Sequence, residues 1–250
     1  MITDLVSYRI ILTIGNRGFL NAEGKAKNML LRAAFMPADV IWYRAILEGE
    51  KLGCSGEIVD IASVCSTQRP IFKRPADHMT RALIARGFFT RQASDHLTLV
   101  NVFNMWMLAR EASQRDEGPR LDLELWCTMH FVDNLALEEA RMNRQKLGPW
   151  LKNTAAINMT RVSVTDQTTV RKALARAFMT HAAIHVGGGV YRTVHENVMA
   201  VPEPWSVVCD GGYEWVVYDR LEKIGGKVYM KVVTAIDAEW LVVSLSSLSF

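Results

Sequence analysis

Aromatic and basic side chains alternate late in this chain: Tyr191-Arg192, then Lys227, Tyr229 and Lys231 on one hairpin-like run. Cations neutralise phosphates and aromatic faces stack on unpaired bases, so that mixture suits single-stranded nucleic acid. Arg171 and Lys172 open a helical stretch, where side-chain charge and free N–H groups can both meet a phosphate. Plain structural readings stand beside these: a solvated helix end for Arg171 and Lys172, packing within a small barrel for Tyr191 and Tyr229. His96 follows the residue that caps its helix. There it interacts with its own first turn or with Asp95, or it reaches a nucleic acid.

Other chemistries find less support. Cys127-x-x-His130 presents two ligands on one helix face, but a zinc site needs about four, and Cys65 and Cys209 lie far off in other elements. The same pair as nucleophile and base lacks an orienting group and an oxyanion site. A phosphate-cradling loop needs glycines followed by Lys and Ser or Thr. No G-x-x-x-x-G-K-[ST] occurs, and Gly187-Gly188-Gly189 runs into Val190-Tyr191-Arg192, a turn leading to a strand. No Asp-Glu-x-His box follows it. The sequence therefore predicts no catalytic residue, no metal, no cofactor and no ATP hydrolysis by this chain.

A chain of 250 residues, 50% hydrophobic, can bury a core of one or two domains. Charged residues interrupt every apolar run, which argues against a membrane span, and the start lacks the basic segment of a secretory signal. Cys54, Cys65, Cys127 and Cys209 are scattered without paired spacing, as free thiols in a reducing compartment would be. The net charge of +3 is uneven. From Val186 onward there are 5 Lys or Arg against 8 Asp or Glu, and before it 24 against 18, from totals of 29 and 26. Attraction for a phosphate backbone is thus concentrated in the first three quarters.

The elements that must position these residues follow from periodicity. Gly18 to Lys25 reads as a small hairpin turn. Pro37 opens a helix to about Leu52 that Gly53 stops. Ser55 caps a helix over Gly56–Cys65. A basic, proline-containing loop spans 66–75, and a helix runs from Asp77 to Phe89. Ser94 caps the next helix, in which Leu97, Val100, Phe103, Asn104 and Met107 share a face. A polar loop covers 111–118. Helices are expected over 120–133 and 135–151, the second capped by Asn134 and broken near Gly148-Pro149, and over Thr169–Ile184. The period then changes to two, giving strands at Val190–Val194, Val198–Val201, Trp215–Leu221 and Val228–Ile236, with a turn capped by Asp237. Trp106, Trp126, Trp215 and Trp240 are expected in the core or between domains. Helices followed by short strands make an α+β chain, an α-helical domain joined to a small barrel.

Several segments, in order, resemble the C-terminal accessory region of DEAH-box RNA helicases. Asp95–Trp106 resembles the start of that family's ratchet-like helical domain. Trp126-Cys127 and Arg141–Leu147 match later helices, and Val170–Leu174 with Phe178–Ala183 the helix leading into its OB-fold. Tyr191–Val194, Glu214–Tyr218 and Tyr229–Ile236 match OB strands, and Trp240-Leu241 the closing turn. The resemblance implies a winged-helix remnant over 1–50, a ratchet-like domain over 51–185 and an OB-fold over 186–250. It implies binding of single-stranded RNA and docking to helicase motor domains, in cis or in trans, and to a G-patch-type adaptor. Pre-mRNA splicing or ribosome biogenesis enters by the same association, as does an intracellular location, nuclear ahead of cytoplasmic. The RNA-contact candidates are Arg171, Lys172, Arg192, Lys227, Tyr229, Lys231 and His96. The chain departs from the family at Ala200-Val201-Pro202-Glu203 and at Ile224-Gly225-Gly226, both on the OB segment. With the acidic balance there, this supports an alternative: a protein-interaction scaffold that no longer binds RNA.

Overall fold

Asp39, two residues after the expected start at Pro37, caps the first helix of the described residues. Its carboxylate accepts the Ile41 N–H at 3.2 Å. The computed structural model describes residues 36, 38–115, 119–162 and 166–241, so the expected hairpin at Gly18–Lys25 lies outside the described residues. Helix α1, Val40–Leu52, ends where Gly53 takes φ 78°, the left-handed conformation that glycine adopts without a Cβ penalty. Helix α2, Ser55–Cys65, turns back against α1. The approach is close at Gly49, where an added Cβ would lie 2.9 Å from Ile58 Cγ1.

Ser55 is not the cap of α2. It lies inside the helix, and its hydroxyl donates to the Asn158 carbonyl (3.0 Å) and accepts the Thr160 N–H (2.9 Å). A tertiary tether has taken the side chain from the local one. After a 3-10 turn come α3, Met79–Gly87, and α4, Asp95–Ser113, capped by Ser94 as its position predicts. Helices α5, Leu123–Met129, and α6, Asn134–Trp150, follow. The cap of α6 is Asp133, which takes the Leu135 and Ala136 N–H groups; Asn134 instead accepts the Trp106 indole N–H at 2.9 Å. Pro149 does not break α6. The α-helix continues one residue past it to Trp150 and then gives way to a wide π turn over Leu151–Ala155.

Helix α7 spans Gln167–Ala177, shorter than the expected Thr169–Ile184. Its expected final turn is instead strand β1, Ala182–Gly187. Ala182 and Ala183 have helical propensity, but they pair with Val217 and Val216 and face different cores, a period of two imposed by tertiary contact. Strands β2 (Val190–Thr193), β3 (Met199–Pro202), β4 (Trp215–Ile224) and β5 (Lys227–Ile236) complete a closed ring in the order β1-β2-β3-β5-β4. Every pairing is antiparallel except β3 with β5. The barrel thus starts before the expected boundary at Val186. Helix α1, expected in a 1–50 segment, shares its core with α2 and α7.

One helical core, one barrel core and one core shared between them result. Phe89, Phe103, Trp106, Val132 and Leu137 pack among α4, α5 and α6. Tyr191, Val216, Tyr218, Met230 and Val233 fill the barrel. The third cluster joins the two halves: Ile46, Ile58, Leu174 and Phe178 from the helices meet Ala182, Val217, Ile236 and Trp240 on the barrel's outer wall. Burying apolar surface between them makes the halves one packed unit.

Candidate nucleic-acid interface

Helix α4 meets the barrel through its first residues, Ser94-Asp95-His96. Ala93 and Ser94 run beside β5: the Ala235 N–H donates to the Ala93 carbonyl at 2.8 Å, and the Ser94 and Thr234 hydroxyls are 2.7 Å apart. Asp95, 5% exposed, accepts from four donors: Arg86 Nη2 (3.2 Å), Ser206 Oγ (2.5 Å), Val207 N–H (2.9 Å) and Val233 N–H (3.0 Å). Burial pushes its carboxyl above the ordinary range, and Arg86 with the other donors pulls it back only in part. Val232 beside it holds φ 52°, uncommon for a β-branched residue. Before it Val228 and Met230 face the barrel core, after it Val233 and Ala235 do. The strand is irregular where its Val233 N–H turns to the carboxylate.

His96 is buried completely, with Nδ1 2.8 Å from Thr234 Oγ1 and its ring edge-on to Trp42. Desolvation holds its pKa at about 3, so the imidazole is neutral. It has no face for RNA, which corrects the expectation. The run Ser94–His96 reads as a motif because it is a joint between domains.

Arg171 also belongs to the joint. Its Nε donates to the Ala235 carbonyl at 2.8 Å, its guanidinium lies 5.4 Å from the Trp240 ring centroid, and burial lowers its pKa. It clamps α7 to β5, more than the solvated helix end of the plain reading. Lys172 beside it is half-buried. Lys231 is half-buried as well and its ammonium is taken by Glu203 (2.8 Å) and Glu222 (3.1 Å). Burial works to raise the Glu203 carboxyl, but the Arg74 and Lys231 contacts outweigh it and hold the group below its usual value.

Arg192, Lys227 and Tyr229 remain, and they fall together in the barrel's topology. Arg192 is exposed on β2, opposite the exposed Met199 of β3. Lys227 begins β5 beside the Gly225-Gly226 turn, its ammonium 5.5 Å from the Tyr229 ring centroid. Five-stranded barrels of this topology bind oligonucleotides on strands 2 and 3, between the β1–β2 and β4–β5 loops. Gly188 and Gly189, after Gly187 at the end of β1, make the first of those loops and Gly225 and Gly226 the second, all five at positive φ. Tyr191 points inward instead: it is 2% exposed and donates to the Tyr213 carbonyl at 2.8 Å.

Sequence reasoning missed Arg86, Ser206 and the bridge from Arg74 to Glu203. Ser206 is 111 residues from Asp95 and Arg74 129 from Glu203, beyond any local pattern, while Arg86 is 9 residues before Asp95 on a different helix. Cys127 and His130 turn to Asn134 and to the Trp126 carbonyl, and burial pushes the thiol up to about 11. Among the described residues no three His, Cys, Asp or Glu side chains gather as metal ligands, and no helix is long and apolar enough to cross a membrane.

Comparison with known proteins agrees with this architecture. Residues 44–99 match the family described as helicase associated domain (HA2), ratchet-like, and residues 170–248 match the oligonucleotide/oligosaccharide-binding (OB)-fold family. A protein of Pongo abelii named "Probable ATP-dependent RNA helicase DHX35" is 28% identical over 212 residues, covering 84% of this chain. The chain spans 27% of that relative's length. With a ratchet-like helical match, an OB-fold match and the joint between them in that order, the chain resembles the C-terminal region of the DEAH-box RNA helicases.

Proposed function

We propose that this chain holds single-stranded RNA for a DEAH-box-type helicase, on the β2–β3 face of its barrel between the glycine loops. What supports the reading is that, of the residues chosen from sequence for cation-plus-stacking chemistry, Arg192 is on β2 while Lys227 and Tyr229 are on β5, next to the β4–β5 loop and, through Tyr229, to β3. Positioning and electrostatics are then this chain's contribution. ATP turnover belongs to motor domains acting in cis or in trans. In this reading residues 1–50 carry the winged-helix remnant, 51–185 the ratchet-like domain and 186–250 the OB-fold, with Ala182–His185 moved to the barrel. The same module docks motor domains and a G-patch-type adaptor, in splicing or ribosome biogenesis, in the nucleus.

Titration of labelled oligo-U and oligo-A at low salt tests the proposal. Binding that weakens on Lys227→Ala with Tyr229→Ala supports it; no binding at high protein concentration rejects it. A second reading, a protein-interaction scaffold without RNA binding, draws on the acidic barrel segment, where Glu203 and Glu222 neutralise Lys231. Absence of RNA binding together with capture of purified motor domains favours that scaffold.

A further inference from the structure

A cavity of about 380 Å³ opens where the 64–74 segment, the start of α4 and the barrel meet. Its lining does not include Arg192, Lys227 or Tyr229, although Glu222 in its wall pairs with Tyr229 across β4 and β5. Arg69, Arg74, Arg86, Arg220 and Lys231 line it, against the carboxylates of Asp95, Glu203 and Glu222. The carboxylates are already engaged: Asp95 by four donors, Glu203 by Arg74 and Lys231, Glu222 by Lys231. The arginines are not exhausted. Arg74 meets Glu203 through Nη1 alone and Arg220 meets Asp219 through Nη1 alone, while Arg69 spends Nε and Nη2 on Asp133. A guanidinium carries five N–H donors, so each keeps at least three for another acceptor. Their side chains are 54% (Arg69), 40% (Arg74) and 60% (Arg220) exposed. Arg86 Nε, in the same wall, is buried without an acceptor among the described residues.

The cavity also offers a flat surface. Trp205 lines it, with the Arg74 guanidinium 5.0 Å from its ring centroid, and Val64, Ile71 and Leu99 supply apolar wall. Forked donors fit phosphate oxygens in pairs, and an indole beside a guanidinium is a stacking platform for a base. The volume falls in the range of sites for small ligands, roughly 300–1,000 Å³. We infer that this cavity binds one phosphorylated nucleotide, with its phosphate on Arg69, Arg74 and Arg220 and its base against Trp205. The nucleotide is either free or the terminal unit of a strand. Its lining shares no residue with the barrel face assigned to RNA.

Calorimetry on the full chain with uridine 5′-monophosphate, uridine and inorganic phosphate tests this, with Trp fluorescence as a second signal. The monophosphate should bind at least about tenfold more tightly than either fragment, since only it engages both halves of the site. Arg69→Lys with Arg220→Lys, which removes the forked donors but leaves a cation for Asp133 and Asp219 (14% and 12% exposed), should weaken it about tenfold with the thermal transition within a few degrees of the parent. Lys227→Ala with Tyr229→Ala should leave it unchanged, which separates this site from the barrel face. Oligo-U with and without a 5′-phosphate then identifies the source. A gain that disappears in the arginine variant supports a strand end; no gain, with the monophosphate still bound, supports the free nucleotide. No binding at millimolar monophosphate, phosphate alone binding as tightly, or unchanged affinity in the arginine variant overturns the inference.

Discussion

Asp95→Ala is the most severe single change the structure predicts. The carboxylate accepts from Arg86, Ser206, Val207 and Val233 at 2.5–3.2 Å and is 5% exposed. Removing it strands a buried guanidinium and two backbone N–H groups, while the Ser206 hydroxyl can turn to another acceptor. An unsatisfied buried donor costs about 1–3 kcal/mol, and breaking one side of a buried ion pair about 3–5 kcal/mol. The losses overlap because they share one acceptor, so roughly 3–5 kcal/mol is expected overall. For a domain of this size that lowers the melting temperature by roughly 6–20 °C. Urea unfolding gives the free energy, and hydrogen exchange at the Val207 and Val233 amides locates it. Those two amides should lose protection before the α4–α6 core does. A loss under about 1 kcal/mol with both amides still protected would refute the assignment of Asp95 as the joint.

His96 gives the acid limb of stability. Its folded pKa of about 3 lies below the ordinary 6.5, so the stability it contributes is complete above pH 6.5 and is lost as pH falls toward 3. The slope is about 1.4 kcal/mol per pH unit. His96→Phe should flatten that limb between pH 6 and 4 in equilibrium melts, while an unchanged limb would mean the imidazole titrates normally. Gly49→Ala should cost about 1–3 kcal/mol, because the new methyl meets Ile58 Cγ1 at 2.9 Å and Ser55 Cα at 3.1 Å. Denaturant midpoints measure it. Arg171→Ala should lower stability by about 1–3 kcal/mol through the Ala235 carbonyl and Trp240 while leaving the salt dependence of RNA binding alone. A flattened salt slope would return it to the RNA site.

Much of the fold was legible because local physics and tertiary packing agree over it. Gly53, Ser94 and the alternating Val, Tyr and Trp of β4 and β5 mark their elements in any context. The sequence misled where a residue answers to a distant partner. Ser55 abandons the cap for Asn158 and Thr160, and Ala182 and Ala183 leave a helical pattern to pair with β4. The site divides the same way. Residue type alone made Lys231, Arg171 and His96 equal to Lys227 and Arg192. Only topology shows that Glu203, the Ala235 carbonyl and Thr234 have claimed the first three. The basic 66–75 loop was visible as charge, but Trp205 carried no signal, because the cavity they share exists only once the barrel packs on the helices.

We propose that the barrel face carrying Arg192, Lys227 and Tyr229 holds single-stranded RNA. Its most direct test is the salt dependence of oligo-U affinity for the parent chain and for Arg192→Ala with Lys227→Ala, by fluorescence anisotropy. Each phosphate contact to a single strand contributes about 0.7 to the slope of log affinity against log salt, so losing both should flatten it by about 1.4. An identical slope in the two proteins, or no binding by the parent at low salt, contradicts the claim.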